Sequence, residues 1–295
     1  MISAKSSSVV VGISTRNRVD VVRKAILSAI EQSHRPLRVA VIDDASTDDT
    51  PALQREFPSV SWERWDKRLG YVRARNKIML TAPEDYYVSL DDDAWFLEGD
   101  EIGIAIDYLD SHPRVAAIAF DIVSPDQPER KSRGLKSQVG LFIGCGHVLR
   151  LSVVKALGGY TLFPAYYGSE ERDLSLRLID AGYEIVQLDG IHVWHDKATI
   201  ARDVRPRHRA AVCNDLTLTV WRFPALVALP SLAWKIISHI KFSARHGLTR
   251  PCLEGIWDFT RTCRTAWRDR RPVRWASIAR HRSLMRLPVE TSGQA

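Results

Sequence analysis

Three runs of apolar residues, each of strand length, stop abruptly in polar clusters, and this repeat narrows the folds open to the chain. Residues 9–13 (VVVGI) lead into Thr15-Arg16-Asn17-Arg18, residues 37–42 (LRVAVI) into Asp43-Asp44, and residues 86–90 (YYVSL) into Asp91-Asp92-Asp93. Short apolar runs rich in β-branched side chains mark strands buried on both faces. Between them Val22, Ile26, Ala29 and Ile30 recur at helical spacing, and Thr50-Pro51 reads as an N-cap and first helical residue. Residues 60–65 form a weaker strand and 72–81 a helix. The alternation predicts an α/β fold with an open, mostly parallel sheet, whose ligands sit beyond the carboxyl ends of the strands. All three polar clusters lie at such ends.

Beyond Asp121 the pattern changes. Residues 124–134 (SPDQPERKSRG) form a polar surface loop, and 138–151 (QVGLFIGCGHVLRL) read as a strand pair whose glycines admit close approach of another chain or a ligand. Leu174, Leu178 and Ile179 share one face of a helix that stops at Gly182, and residues 185–188 form a short strand. From about residue 200 the chain turns helical and basic. Leu253, Ile256, Trp257, Thr260 and Trp267 fall on one helical face, flanked by Arg261, Arg264 and Arg268. The expected division is therefore 1–200, with halves at about 8–121 and 135–200, and a C-terminal region 201–295.

Composition supports two regions with different partners. From Lys197 onward there are 19 Lys and Arg against six Asp and Glu, whereas the rest has 23 against 29. The four cysteines form no CxxC pair, which suits reduced thiols in a cytosolic chain. The start carries no apolar targeting core. Residues 223–240 are interrupted by Pro224, Pro230, Lys235 and His239, which fits a buried or interfacial segment better than a membrane span.

Three adjacent carboxylates repel one another, and a hard divalent cation relieves that repulsion. Alternate residues at a strand tip point the same way, so Asp91 and Asp93 reach one ion while Asp92 turns elsewhere. A solvated acidic turn capping a following helix is the plainer reading. Asp44 offers a carboxylate to a ribose or to the N3–H of a pyrimidine base, though DDxSxD is also ordinary turn chemistry.

Taken in order, VGISTRNR, VIDDASTDDT, GYVRARN, VSLDDDAWF, GSEERDLSLRLIDAGYEI and HVWH resemble the family 2 glycosyltransferases over about residues 8–220. That group is inverting and has a GT-A fold, so the resemblance implies a Rossmann-like mixed sheet flanked by helices, here with a C-terminal helical annex. Within it the chain looks most like bacterial rhamnosyl- and galactofuranosyl-transferases. The resemblance implies that Thr15, Arg18, Arg75 and Asp92 lie near the nucleotide and its phosphates and Asp44 on its base. Asp91 and Asp93 match the DxD that holds Mg²⁺ or Mn²⁺. His195 matches a histidine completing the metal shell in some relatives, with His192 its rival. Glu170 and Glu171 match the acidic pair before the helix, Glu171 taking the place of the base. Neighbouring Glu170 and Asp173 are then expected to raise the pKa of that base.

The implied activity is transfer of a sugar, from a UDP- or dTDP-sugar by preference, to a hydroxyl of a glycan, lipid-linked or small-molecule acceptor in bacterial surface glycan or glycolipid synthesis. A nucleotidyltransferase would share the acidic metal ligands, but no Gly-rich phosphate loop with a lysine stands near the N-terminus. A membrane-associated binding module with a vestigial nucleotide site is the non-enzyme alternative. The basic, Trp-rich rear suits an anionic membrane surface on the cytoplasmic side, or else a solvated helical annex. It carries no nucleic-acid recognition motif.

Overall fold

A computed structural model of the chain describes residues 6–125, 137–196 and 203–286. Most of the expected loop at 124–134 lies outside these residues. The chain divides into two compact units, one of Met1–Gly159 with Gly182–Ala198, the other of Tyr160–Ala181 with Thr199–Ala295. This differs from the expected division near residue 200, because Tyr160–Ala181 groups with the C-terminal helices.

The first unit is built on a nine-stranded sheet. It contains β1 (Val9–Thr15), β2 (Leu37–Asp43), β3 (Ser61–Arg64), β4 (Tyr86–Asp91), β5 (Ala94–Phe96), β6 (Val115–Val123), β7 (Ser137–Gln138), β8 (Gly146–Arg150) and β9 (Glu184–His195). Its helices are α1 (Val19–Ile30), α2 (Leu53–Glu56), α3 (Tyr71–Thr81), α4 (Glu101–Ser111) and α5 (Leu151–Ala156). The order is β3-β2-β1-β4-β8-β6-β9-β5, with β7 added on β9. Strands β3, β2, β1 and β4 are mutually parallel, as expected, but β8 runs antiparallel to both β4 and β6. The sheet is therefore mixed. Val9, Val11, Ile13, Val39, Val41, Val88 and Leu90 form the core against Val22, Ile26 and Ala29 of α1 and Ile102, Ile106 and Leu109 of α4.

Several local expectations shift. Thr50 begins a short 3-10 turn capped at Asp49 instead of serving as the cap itself. The run 138–151 is no hairpin: only Ser137–Gln138 and Gly146–Arg150 are strands, and the intervening segment folds over the tip of β4. No helix directly follows Asp93, because β5 intervenes and pairs antiparallel with the end of β9. The strand expected at 185–188 runs on to His195, its second part aligned on β6 beyond an irregularity.

The second unit is helical: α6 (Glu170–Asp180), α7 (Val204–Arg222), α8 (Ala225–Arg245), α9 (Thr249–Arg268) and α10 (Trp275–Arg286). Helices α7 and α9 touch closely. A Cβ added to Gly255 of α9 would stand 2.5 Å from the Arg209 carbonyl, so only glycine fits there. The α9 face that packs is Cys252, Gly255, Phe259 and Ala266, whereas Leu253, Trp257 and Trp267 of the expected apolar face are exposed.

Candidate functional site

The parallel register brings the polar tips together. Thr15 lies opposite Asp43, and Ser14 opposite Asp91, so the loops after β1, β2 and β4 share one edge of the sheet. The first two loops are stitched to each other: Asn17 N donates to Ser46 Oγ at 2.9 Å, and Thr47 N to Asn17 Oδ1 at 2.7 Å. Asn17 and Ala45 hold φ of 54° and 62°, a left-handed conformation that costs on the order of 1 kcal/mol for Ala. Thr15 is buried, and its carbonyl accepts from Asp44 N at 2.9 Å.

The acidic triplet is divided among its neighbours. Arg18 Nη1 stands 3.3 Å from Asp92 Oδ1 and 2.8 Å from Asp93 Oδ2. Arg75, 5% exposed, reaches Asp91 Oδ1 at 2.5 Å and the Gly144 carbonyl at 3.1 Å. Burial alone would raise the Asp93 pKa, but His195 and Arg18 hold it well below the usual carboxylate range. Asp92 goes the other way: burial, with the charges of Asp93 and Asp91, pushes it up to about 7 against the pull of Arg18. The different neighbours thus shift Asp92 and Asp93 in opposite directions.

His195 reaches this cluster by register. Ala94 pairs with His195, and Asp196 N donates to the Asp93 carbonyl at 2.9 Å, which sets His195 Nε2 3.2 Å from Asp93 Oδ1. His192 pairs instead with Asp121 and, three residues away along a strand, points to the other face.

Asp91, His195 and Cys145 offer one ligand atom each, all within 4.8 Å of one another. A carboxylate oxygen suits Mg²⁺ or Mn²⁺ and an imidazole nitrogen suits borderline transition metals, so Asp91 and His195 together fit a divalent ion; a thiol suits softer metals. Burial and the charge of Asp91 push the Cys145 thiol well up, so it presents a neutral S–H. Sequence reasoning missed Cys145, since a single cysteine in an apolar run reads as core. The glycines around it were the available signal.

Asp44 is committed elsewhere. Leu69 N donates to its Oδ1 at 2.6 Å and Gly70 N to its Oδ2 at 2.9 Å, so the carboxylate fixes the loop that leads into α3, the helix of Arg75.

Glu170 and Glu171 belong to the second unit. They open α6 directly after Gly168 and Ser169, whose φ values of 86° and 82° turn the chain sharply into the helix. Asn214 of α7 secures that turn, donating from Nδ2 to the carbonyls of Ala165, Tyr167 and Gly168 and accepting from Ala165 N at 3.0 Å. Asn214, too, was invisible in the sequence. Glu170 is buried and Glu171 partly exposed. Asp173, fully buried, sits between Arg177 Nε at 2.8 Å and Arg222 Nε at 2.5 Å and accepts from Thr161 Oγ at 2.6 Å. Asp173→Ala strands two guanidiniums and is expected to cost about 3–5 kcal/mol, read from a urea melt.

Residues 10–163, just over half of the chain, match glycosyl transferase family 2. No curated protein sequence matches. Among solved structures, PcManGT, a mannosyltransferase from Pyrobaculum calidifontis in complex with GDP-Man and Mn²⁺, is similar at 16% identity and a TM-score of 0.61, over 93% of this chain and 78% of that one. S. aureus TarS 1-349 in complex with UDP-GlcNAc is similar at 15% identity and a TM-score of 0.61, over 81% of this chain and 74% of that one. At such identities the likeness speaks to the fold, and it agrees with the mixed sheet. The chain belongs to glycosyl transferase family 2, a glycosyltransferase built on the GT-A fold.

Proposed function

We propose that the protein moves a hexosyl group from a nucleoside-diphosphate sugar to an acceptor hydroxyl with inversion at the anomeric carbon. The observation that carries this reading is the convergence of Asp91, His195 and Cys145 at the tip of β4, with Asp93 beside His195, Arg18 on Asp93 and Arg75 on Asp91. Neighbours of the same fold holding GDP-Man with Mn²⁺, and UDP-GlcNAc, support a nucleotide-sugar donor and a divalent ion. Asp91, Asp93 and His195 would hold Mg²⁺ or Mn²⁺. When bound, such an ion offsets the charge that develops on the departing diphosphate.

Arg18 and Arg75 add positive charge at the place where phosphates would lie, and Thr15 with Asp92 borders it. Asp44 shapes the nucleotide side through the loop it pins, leaving a role on the base to its remaining lone pairs. Glu171 takes the proton of the acceptor hydroxyl as it attacks, so one displacement suffices and no covalent sugar-enzyme intermediate is needed. We assign the donor to the UDP- or dTDP-sugars and the acceptor to bacterial surface glycan or glycolipid assembly on the cytoplasmic side. The basic C-terminal unit supports that placement, since lipid-linked acceptors lie at a membrane.

A thermal-shift panel of UDP-, dTDP- and GDP-sugars with and without Mn²⁺ tests the reading. Ligand at 100 times its Kd stabilises by about 2.7 kcal/mol. The expected result is a rise in Tm with one nucleotide class that requires the ion; no shift with any donor would remove the basis for the proposal.

A further inference from the structure

Helix α8 is apolar on the side away from its unit as well as where Ala228, Leu232 and Ile236 pack inward. The residues it turns toward its own unit include Ser231, Lys235, His239 and Ser243, each bonded there. Arg282 Nη2 donates to Ser231 Oγ at 3.1 Å, Lys235 Nζ donates to Asp215 Oδ1 at 2.6 Å, His239 Nε2 stands 3.0 Å from Asp215 Oδ2, and His208 pairs with Ser243 Oγ at 2.7 Å. Its outward residues are Leu226 (92% exposed), Leu229 (65%), Trp234 (69%), Ile237 (52%) and Ile240 (38%). A helix side that faces water is polar, and a contiguous apolar stripe of this length marks a surface that meets something apolar.

Charge identifies the occupant. Every acid among residues 203–286 is already engaged: Asp203 caps α7, Asp215 holds Arg172 and Lys235, Glu254 and Asp258 hold Arg209, and Asp269 holds Arg268. Lys241, Arg245, Arg264, Arg271 and Arg280 are exposed and form no salt bridge to an acid among the described residues. An apolar stripe with an aromatic residue and uncompensated cations in one unit is complementary to an anionic bilayer surface. A second copy of the chain would instead bring like charges together.

Length and apolar composition would both let α8 cross a membrane, for its 21 residues span about 31 Å. Crossing would pull Lys235 off Asp215 and place an ammonium in hydrocarbon, so the helix lies along the surface.

We propose that α8 docks the protein on the anionic face of a lipid bilayer, with Leu226, Leu229, Trp234 and Ile237 entering the headgroup boundary. This stands independently of the donor chemistry. The test is sedimentation of the full-length protein with vesicles of phosphatidylcholine alone or with about 30% phosphatidylglycerol. Binding is expected on the anionic vesicles only and to weaken with salt. The double variant Leu229→Glu/Ile237→Glu should lower the partition coefficient at least tenfold, about the effect of losing one buried aliphatic side chain. Both positions are exposed, so the variant should keep its melting curve; Lys241→Glu/Arg245→Glu provides a second reading that leaves the apolar stripe intact. The proposal is overturned by equal binding of parent and both variants, by no binding to anionic vesicles, by a dimer in solution that Leu229→Glu/Ile237→Glu converts to monomer, or by resistance to alkaline carbonate extraction as for a spanning helix.

Discussion

Asp93→Asn should leave a folded protein that no longer binds its donor in a metal-dependent way, with kcat/KM lower by about three orders of magnitude. The size follows from the several kcal/mol that a bound cation contributes to a departing diphosphate, at 1.36 kcal/mol for each tenfold in rate. The isosteric amide is the informative change. Asp93 is 2% exposed and lies against both Arg18 and His195, so truncation to Ala would also strand a partly buried cation and cost about 3–5 kcal/mol of stability. Asn keeps the volume and one oxygen while removing the charge. Mn²⁺ binding followed by electron paramagnetic resonance, alongside a melting curve, separates the two effects. Loss of Mn²⁺ uptake in a protein that still melts cooperatively, at a lower temperature because Arg18 and His195 lose their charged partner but with less loss than in Asp93→Ala, is the expected outcome. Full Mn²⁺ affinity in Asp93→Asn would show that the ion, if taken up, relies on other ligands. Asp91→Asn should lose affinity as well, though its carboxylate also anchors Arg75, so the nucleotide side is disturbed at the same time.

These neighbours explain which parts of the site could be read in advance. The triplet after YYVSL was legible because strand burial and charge repulsion are local properties of a few adjacent residues. How its three members differ was not. That depends on Arg18 and Arg75, which come from separate segments, and on the register of β9 against β5, which singles out His195 over His192. Likewise an acid at Asp44 is plain from the sequence, but its hold on Leu69 and Gly70 arises only once β3 and α3 have packed. The parallel half of the sheet follows from alternation of apolar runs and helices. Its antiparallel half does not, since β8 enters between β4 and β6 by a long connection that leaves no period in the sequence. In α8 the apolar residues were evident and their outward direction was not, because it is set by four polar contacts to α7 and α10.

Glu171→Gln should lower turnover by about 10²- to 10⁴-fold while leaving donor-induced stabilisation intact. Three acids occupy the first turn of α6, where the helix dipole favours negative charge, so position alone does not identify the base. Asp173 is excluded by its partners: both oxygens face Arg177 and Arg222, and it closes the packing of its unit. Of the remaining two, Glu170 is 3% exposed, whereas Glu171 meets solvent, from which an acceptor hydroxyl must arrive. Gly168 and Ser169, fixed in the left-handed region and secured by Asn214, hold both side chains at a defined turn. Removing a general base typically lowers kcat by 10² to 10⁴. The amide is isosteric, so kcat should fall by about that factor with the donor Kd unchanged, while Glu170→Gln should cost kcat less than about tenfold. The reverse ranking would move the base to Glu170 and would require the helix to turn that buried acid outward when the acceptor binds.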